Sequence, residues 1–296
     1  MTVLQKFSTF GNSASVGAIL IESGTLTHEQ AGHVVRVQQE QNLRFGDAAI
    51  LLGYLTEAEL SFALAKQFDY AYLPEGESRP VSEELIAAYQ PFSPQAEQFR
   101  ALRSQLGMRW FDRNMKRNSL AIVGVERSVG RSYLAANLAV VFAQMGESTL
   151  LIDADMRNPR QHEMFKLDNR QGLSMLLSER CDNDCIQPIS ALGNLSVLPT
   201  GPLPPNPQEL LNRPVFGAML ANVTERFDVV LIDTPAFSTS MDVHIIARHT
   251  GGAFAVARKN QTRLSDFADF GSTLAQSGVN VVGSVMNSFS TLRRTD

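Results

Sequence analysis

The sequence predicts an α/β protein, a mostly parallel sheet flanked by helices, with a small helical domain in front of it. Three observations carry this expectation. The runs SLAIVG (119–124), STLLID (148–153) and FDVVLID (227–233) are short and almost continuously apolar, as strands covered on both faces are. The first leads through a glycine-bearing loop into YLAANLAVVFAQMG (133–146), where Leu134, Leu138, Val141 and Phe142 recur at helical spacing. Residues 15–67 instead carry a duplicated helical pattern.

The chain has 296 residues, 44% hydrophobic and 19% charged, enough for one large core and a smaller module. A net charge of -4, from 26 basic and 30 acidic side chains, argues against a nucleic-acid partner drawn in by a general positive field. Cys181 and Cys185 lie in the polar run SERCDNDCIQP with no histidine close by, so a surface loop is expected rather than a metal site. No apolar run is long enough to span a bilayer, and MTVLQKFSTFGNSAS lacks the apolar core and cleavage pattern of a signal peptide. A cytoplasmic location is expected.

In the duplicated region, SVGAILIESGTLTHEQAGHVVRVQ (15–38) and RFGDAAILLGYLTEAELSFALAKQ (44–67) place Gly17 and Gly46, Gly24 and Gly53, Leu26 and Leu55, Thr27 and Thr56, and Gln38 and Gln67 at one constant offset. Each copy reads as helix, glycine turn, helix, with threonine as a hydroxyl cap and acidic residues near the positive end of the second helix. The tandem resembles the N-terminal domain of type II secretion and type IV pilus assembly ATPases, some of which bind cyclic di-GMP through paired RLGxxLVxxGLLxxxxLxxxLxxQ motifs. That resemblance implies a regulatory cyclic di-GMP site using Arg44, Gly46 and Gly53 of the second copy with Gly17 and Gly24 of the first. The first copy has Ser15 and Val16 where the family has Arg-Leu, which removes one guanidinium. A helical packing domain that binds no nucleotide would demand the same apolar positions.

PEGESRPVSEELIAAYQPFSP (74–94) reads as an extended connector with one short helix. The expected organisation is a tandem-motif domain over 1–74, a linker over 75–95 and a nucleotide-binding domain over 96–296. Just beyond the linker, Phe99, Leu102, Leu106 and Met108 run along a helix, with Arg100 and Arg103 on a neighbouring face and Glu97 one turn ahead.

GVERSVGRS (124–132) joins a strand to a helix and must aim backbone N–H groups at an anion. It departs from G-x-x-x-x-G-K-[ST] twice: Gly124 comes one position early, and Arg131 stands in place of lysine. Val129, Gly130, Arg131, Ser132 and Tyr133 are the candidate phosphate-side contacts, with Ser132 placed for magnesium. Asp153 and Asp155 end the second strand and Asp233 the third, where ligands bind in an open α/β sheet. The expected architecture is thus P-loop NTPase-like, with ATP and Mg2+ as cofactors.

Together EQFRALR, GVERSVGRS, LLIDADMR, GLSMLL, PTGPLPPNPQELL and VVLIDTPA make residues 97–289 resemble the bacterial tyrosine kinases of capsule and exopolysaccharide synthesis. The resemblance implies that Ser132, Asp153 and Asp233 hold the metal, that Asp153 and Asp155 organise the attack with Arg131 at the phosphates, and that Arg157 lies at the rim. It further implies that Glu97, Arg100 and Arg103 engage a neighbouring subunit in a homo-oligomer, and that the protein works with an inner-membrane chain-length determinant. Members commonly end in a tyrosine cluster, whereas VVGSVMNSFSTLRRTD has none; the five tyrosines are Tyr54, Tyr70, Tyr72, Tyr89 and Tyr133. Autophosphorylation on a C-terminal tail is therefore not expected. One rival is a nucleotide-dependent regulator of polysaccharide assembly that transfers no phosphate. Another is a ParA/MinD positioning ATPase, disfavoured because Glu126 occupies the place of its signature lysine. His162, His244 and His249 are read as structural or surface groups, and Met241, Met286 and the phenylalanines as core.

Overall fold

The computed structural model describes residues 15–67, 72–73, 79–115 and 117–288. The chain divides into two compact units, Met1–Pro74 and Glu75–Asp296.

In the first unit, α1 (Val16–Glu22) and α2 (His28–Gln41) are repeated as α3 (Phe45–Leu51) and α4 (Glu57–Gln67). Thr27 and Gln30 form a reciprocal capping box at the start of α2, and Thr56 and Glu59 do the same before α4. Gly24 and Gly53 turn the chain with φ of 75° and 69°, a region open to glycine at little cost. Gly17 and Gly46 have another reason: a Cβ on Gly46 would lie 2.4 Å from Leu60 Cδ2, and one on Gly17 3.2 Å from the Phe45 ring. All four glycines of the expected ligand motif are thus accounted for by turns and helix packing around Leu20, Leu26, Val34, Ala48 and Leu55.

The second unit runs α5 (Ile86–Tyr89), α6 (Pro94–Arg109), β1 (Ser119–Val123), α7 (Arg131–Gln144), β2 (Thr149–Asp153), α8 (Gln161–Met164), α9 (Leu173–Leu177), β3 (Gln187–Pro188), β4 (Leu195–Leu198), α10 (Pro207–Leu211), α11 (Pro214–Arg226), β5 (Val229–Asp233), α12 (Asp242–Thr250), β6 (Gly252–Arg258), α13 (Leu264–Gln276) and β7 (Asn280–Asn287). The seven strands are ordered β3-β4-β2-β5-β1-β6-β7, all pairs parallel except β3 with β4. β1, β2 and β5 are buried at every residue, which is why their sequences are apolar without alternation. α7 packs on these strands and is itself covered by α5 and α6. Among the described residues no helix is long and apolar enough to cross a membrane.

Several expectations change. The stretch read as an extended connector is, from residue 79 onward, folded onto the α/β unit: Leu85, Ala87 and Ala88 are buried, and Asn137 Oδ1 accepts the Ala87 N–H at 3.0 Å while Gln144 Nε2 donates to Ala87 O at 2.9 Å. The anchoring groups are its backbone and two polar side chains of α7, not its own polar residues. Met241 and Met286, expected in the core, are exposed at 51% and 67%, and of the phenylalanines Phe62 and Phe92 are exposed as well. The cysteine loop is folded inward, with Cys185 buried and its Sγ 2.9 Å from that of Cys181. The residues 289–296 compared with a tyrosine tail lie outside the described residues.

Candidate nucleotide-binding site

β1 ends at Val123 and the chain turns through Gly124 to Gly130 into α7, with Ser128 at φ 59° and Gly130 at φ 99°. Among the described residues, no backbone N–H of residues 126–133 donates to a protein acceptor, so the loop and the first turn of α7 present a row of donors to an anion. The loop is braced from outside: Asn287 Nδ2 donates to Val129 O, Arg258 to Ser128 O and Gln261 to Arg127 O, each at 3.1 Å. The Ser132 hydroxyl belongs to the first turn of α7. Tyr133 turns its half-buried ring edge-on to Phe99 of α6, the ring centroids 5.8 Å apart.

The two departures from the usual loop have separate local causes. Arg131 is buried, its Nε donating to Thr234 O at 3.0 Å and Nη1 to Glu126 O at 2.6 Å, which ties the loop to the end of β5. A Cβ on Gly124 would meet Val256 O at 2.8 Å and Val129 Cγ2 at 3.0 Å, so the early glycine is required by the close approach of β6 and of the loop's own Val129. Burial pushes the Arg131 pKa down, while Asp233, Asp155 and Glu126 pull it back up. The Glu126 carboxylate turns to Thr262, accepting its hydroxyl at 2.9 Å.

The three aspartates have different surroundings. Asp153 and Asp233 face each other as register partners of β2 and β5, both fully buried. Asp153 is committed to its own loop: Oδ1 accepts from Asp155 N at 3.2 Å, and Oδ2 from Arg160 N and Gln161 N at 3.0 and 2.9 Å. That makes it an organiser of the loop more than a free ligand. Asp155 accepts from the backbone of Arg157 and Asn158, and Thr200 Oγ1 bonds the Asp153 carbonyl at 2.9 Å. Burial, then the Asp233 charge, hold the Asp153 pKa well above the carboxylate range. Asp233 is pushed up to about 6 by burial, against the pull of Gln161, Ser132 and Arg131. Its Oδ2 accepts from Gln161 Nε2 at 2.8 Å, and its buried Oδ1 accepts no hydrogen bond of regular geometry.

That bare carboxylate oxygen, beside a serine hydroxyl and a donor-lined loop, fits a magnesium ion held mainly by phosphate oxygens and water. Bound there, the ion would neutralise phosphate charge and relieve the two buried carboxylates.

Arg157 reaches across to α12, its Nε 3.0 Å from Asp242 Oδ2. The family marks GLSMLL and PTGPLPP meet where Leu173 N and Ser174 N donate to Pro199 O and Thr200 O, so they form the shelf beneath Asp153. Sequence reasoning missed Gln161, Thr234 and Asp242. Gln161 follows the aspartate motif inside the polar run NPRQHEMF, and its only signal was its place one residue before His162. Glu97, Arg100 and Arg103 lie on α6: Arg100 bonds Glu97 and Pro91 O, and Arg103 donates to Val141 O at 3.0 Å.

A family model described as ParA, NUBPL iron-transfer P-loop NTPase, matches residues 116–294. The chain is 35% identical over 215 residues to the tyrosine-protein kinase wzc of Salmonella typhi, covering 72% of this chain and 30% of that protein. It is also 35% identical over 198 residues to the putative tyrosine-protein kinase CapB of Staphylococcus aureus, covering 67% of this chain and 86% of that one. Among solved structures, the chimerical protein CapA2B2 superposes with a TM-score of 0.64 at 33% identity over 76% of this chain and 96% of that one. Loop, aspartate strands and sheet order therefore sit in a sequence context shared with CapB nearly end to end, and the chain belongs to the bacterial tyrosine-protein kinase family of ParA-type P-loop NTPases.

Proposed function

We propose that the α/β unit binds Mg-ATP and transfers its γ-phosphoryl group to a tyrosine hydroxyl, serving polysaccharide polymerisation or export. The observation that carries this reading is the convergence of a donor-lined loop, Ser132 and three aspartates at the ends of β1, β2 and β5. In the proposed reaction the tyrosine oxygen bonds to the γ-phosphorus as the bond to the β–γ bridging oxygen breaks. ADP leaves, and the phenolic proton passes to Asp155. Loop N–H groups and Arg131 oppose the charge on the transferred group, Ser132 and Asp233 hold the metal, and Asp153 keeps the Asp155 turn in place. Purified chain should label a tyrosine-containing acceptor in a Mg2+-dependent way, and Asp155→Asn should lower that transfer about a hundredfold. ATP binding with no phosphotyrosine would favour the second reading, a nucleotide-responsive regulator, for which the tethering of Arg131 to two carbonyls is the supporting observation.

The wider setting rests on the family. We infer a cytoplasmic position at the inner membrane beside a chain-length determinant protein, a homo-oligomer built through α6, and cyclic di-GMP as a regulatory ligand of the first unit. Since its glycines serve packing and turns, the last inference leans on the exposed Arg44 at the start of α3.

A further inference from the structure

Gln161, fully buried, touches the phosphate loop and both facing aspartates. Its Nε2 donates to Ser132 O at 3.1 Å and to Asp233 Oδ2 at 2.8 Å, while its backbone N–H serves Asp153. A carbonyl oxygen and a carboxylate oxygen with an ionised charge can only accept, so the amide's orientation is set by its partners. The other prong, Oε1, is buried and accepts no hydrogen bond, and the buried Asp233 Oδ1 accepts none of regular geometry. Bare buried acceptors are costly, and here two of them belong to side chains bonded to each other. The occupant that suits both is one that donates two hydrogen bonds and asks for none from the protein. Water bound to a divalent cation is such a group, because its lone pair is directed at the ion.

We propose that Gln161 is a positioning residue for the divalent cation of the nucleotide site. Its Oε1 and Asp233 Oδ1 accept the two protons of a cation-bound water, while its Nε2 holds Ser132 and Asp233 at the spacing this requires. The inference rests on the Mg-nucleotide reading above. It adds a residue outside the loop and strand motifs, and it explains why a glutamine, with a donor and an acceptor on one planar group, occupies a dry position.

The test is calorimetric titration of the full chain with ADP, in Mg2+ and in EDTA, for the wild type and Gln161→Met, a side chain of similar length without either prong. The expected result is that the gain in ADP affinity conferred by Mg2+ falls at least tenfold in the variant, with affinity in EDTA changed less than twofold. No change, or an equal loss with and without Mg2+, overturns the proposal and leaves Gln161 a strut of the loop. A wild type that binds ADP no better with Mg2+ overturns the Mg-nucleotide reading itself, and this inference with it. Should the variant not fold, the wild type still decides: the Gln161 carboxamide NMR signals must move when Mg2+ is added to the ADP complex, and signals that stay fixed overturn the proposal.

Discussion

Asp153 and Asp233 stand at the same level of adjacent parallel strands, each wholly buried, with the same strand register bringing Ile152 beside Ile232 one step below. Two carboxylates so placed cannot both carry charge cheaply without a cation between or beside them. The site is therefore poised to exchange protons for a metal.

The pH dependence follows. Both pKa values are raised in the folded state, Asp233 to about 6, so the folded chain binds more protons than the unfolded one above the ordinary carboxylate range. This contribution to stability is fully present below the unfolded pKa and is lost as pH rises through about 6. The melting temperature of metal-free, nucleotide-free protein should include a component that falls over that window, and Asp233→Asn should reduce it while raising stability at neutral pH. Equal pH slopes in the two proteins, measured by calorimetry, would contradict the burial argument. Mg2+-dependent nucleotide binding should show the reverse trend, weakening as pH drops through about 6.

Arg131 supplies the second prediction. Its fork reaches two carbonyls, Glu126 O and Thr234 O. Lysine carries the charge but not the planar fork. Arg131→Lys should therefore lose turnover despite restoring the usual loop lysine, and Arg131→Ala should lose about tenfold or more, roughly 1.4 kcal/mol in the barrier. Steady-state ATP turnover checks both, and a faster lysine variant would show that the loop is not shaped around the guanidinium.

What was legible in the sequence had a local cause. β1, α7, β2 and β5 could be read because strands buried on both faces and a helix covered on both sides leave continuous apolar signatures. The aspartates were legible because strand ends are where polar residues interrupt such runs. Gln161 was not, since its burial comes from contacts with Ser132 and Asp233, far away in sequence. Residues 79–93 misled for a related reason: Pro, Ser and Glu suggest a solvated connector, yet Asn137 and Gln144 of α7 satisfy its backbone. Met241 and Met286 are exposed: residue type alone says nothing about the face a methionine occupies.

Gly46 offers a test of the first unit's packing. Gly46→Ala would press its methyl onto both Leu60 methyls, at 2.4 and 2.7 Å, forcing that side chain to move. Overpacking of this kind costs about 1–3 kcal/mol, partly offset by alanine's better helix propensity of about 1 kcal/mol. Hydrogen exchange over α3 and α4 should quicken in the single variant and recover in Gly46→Ala with Leu60→Ala. Unaltered exchange in the single variant would mean that the helices have room to spare.

Arg103 separates a structural role from assembly. Its Nη1 donates to Val141 O, one of the last carbonyls of α7, where a cation also meets the helix's negative end. Arg103→Ala should lower stability by about 0.5–1 kcal/mol whatever the oligomeric state. Glu97→Ala removes the exposed partner of Arg100 without touching α7. If α6 joins subunits, sedimentation velocity should show Glu97→Ala shifting the assembly towards smaller species at unchanged melting temperature. A shift that appears only with Arg103→Ala, in step with lost stability, would assign the helix to the fold of one subunit.

The last prediction concerns Arg44. Gly17, Gly24, Gly46 and Gly53 would be required by a unit that binds nothing, so their presence does not distinguish a sensor from a packing module. Arg44 does: it sits exposed at the N-cap of α3, makes no side-chain cap bond there, and can fork onto a phosphate or a guanine edge. If the unit senses cyclic di-GMP, Arg44→Ala should weaken binding to the full chain about tenfold or more without changing its melting temperature, since the side chain is exposed and makes no cap hydrogen bond. Because Ser15 stands where a second arginine would be, wild-type affinity should rise in Ser15→Arg with Val16→Leu. Calorimetric titration of the three proteins checks this. Undetectable binding by all of them at high micromolar dinucleotide would leave the tandem a docking module, and the glycines would then need no explanation beyond the helices they pack.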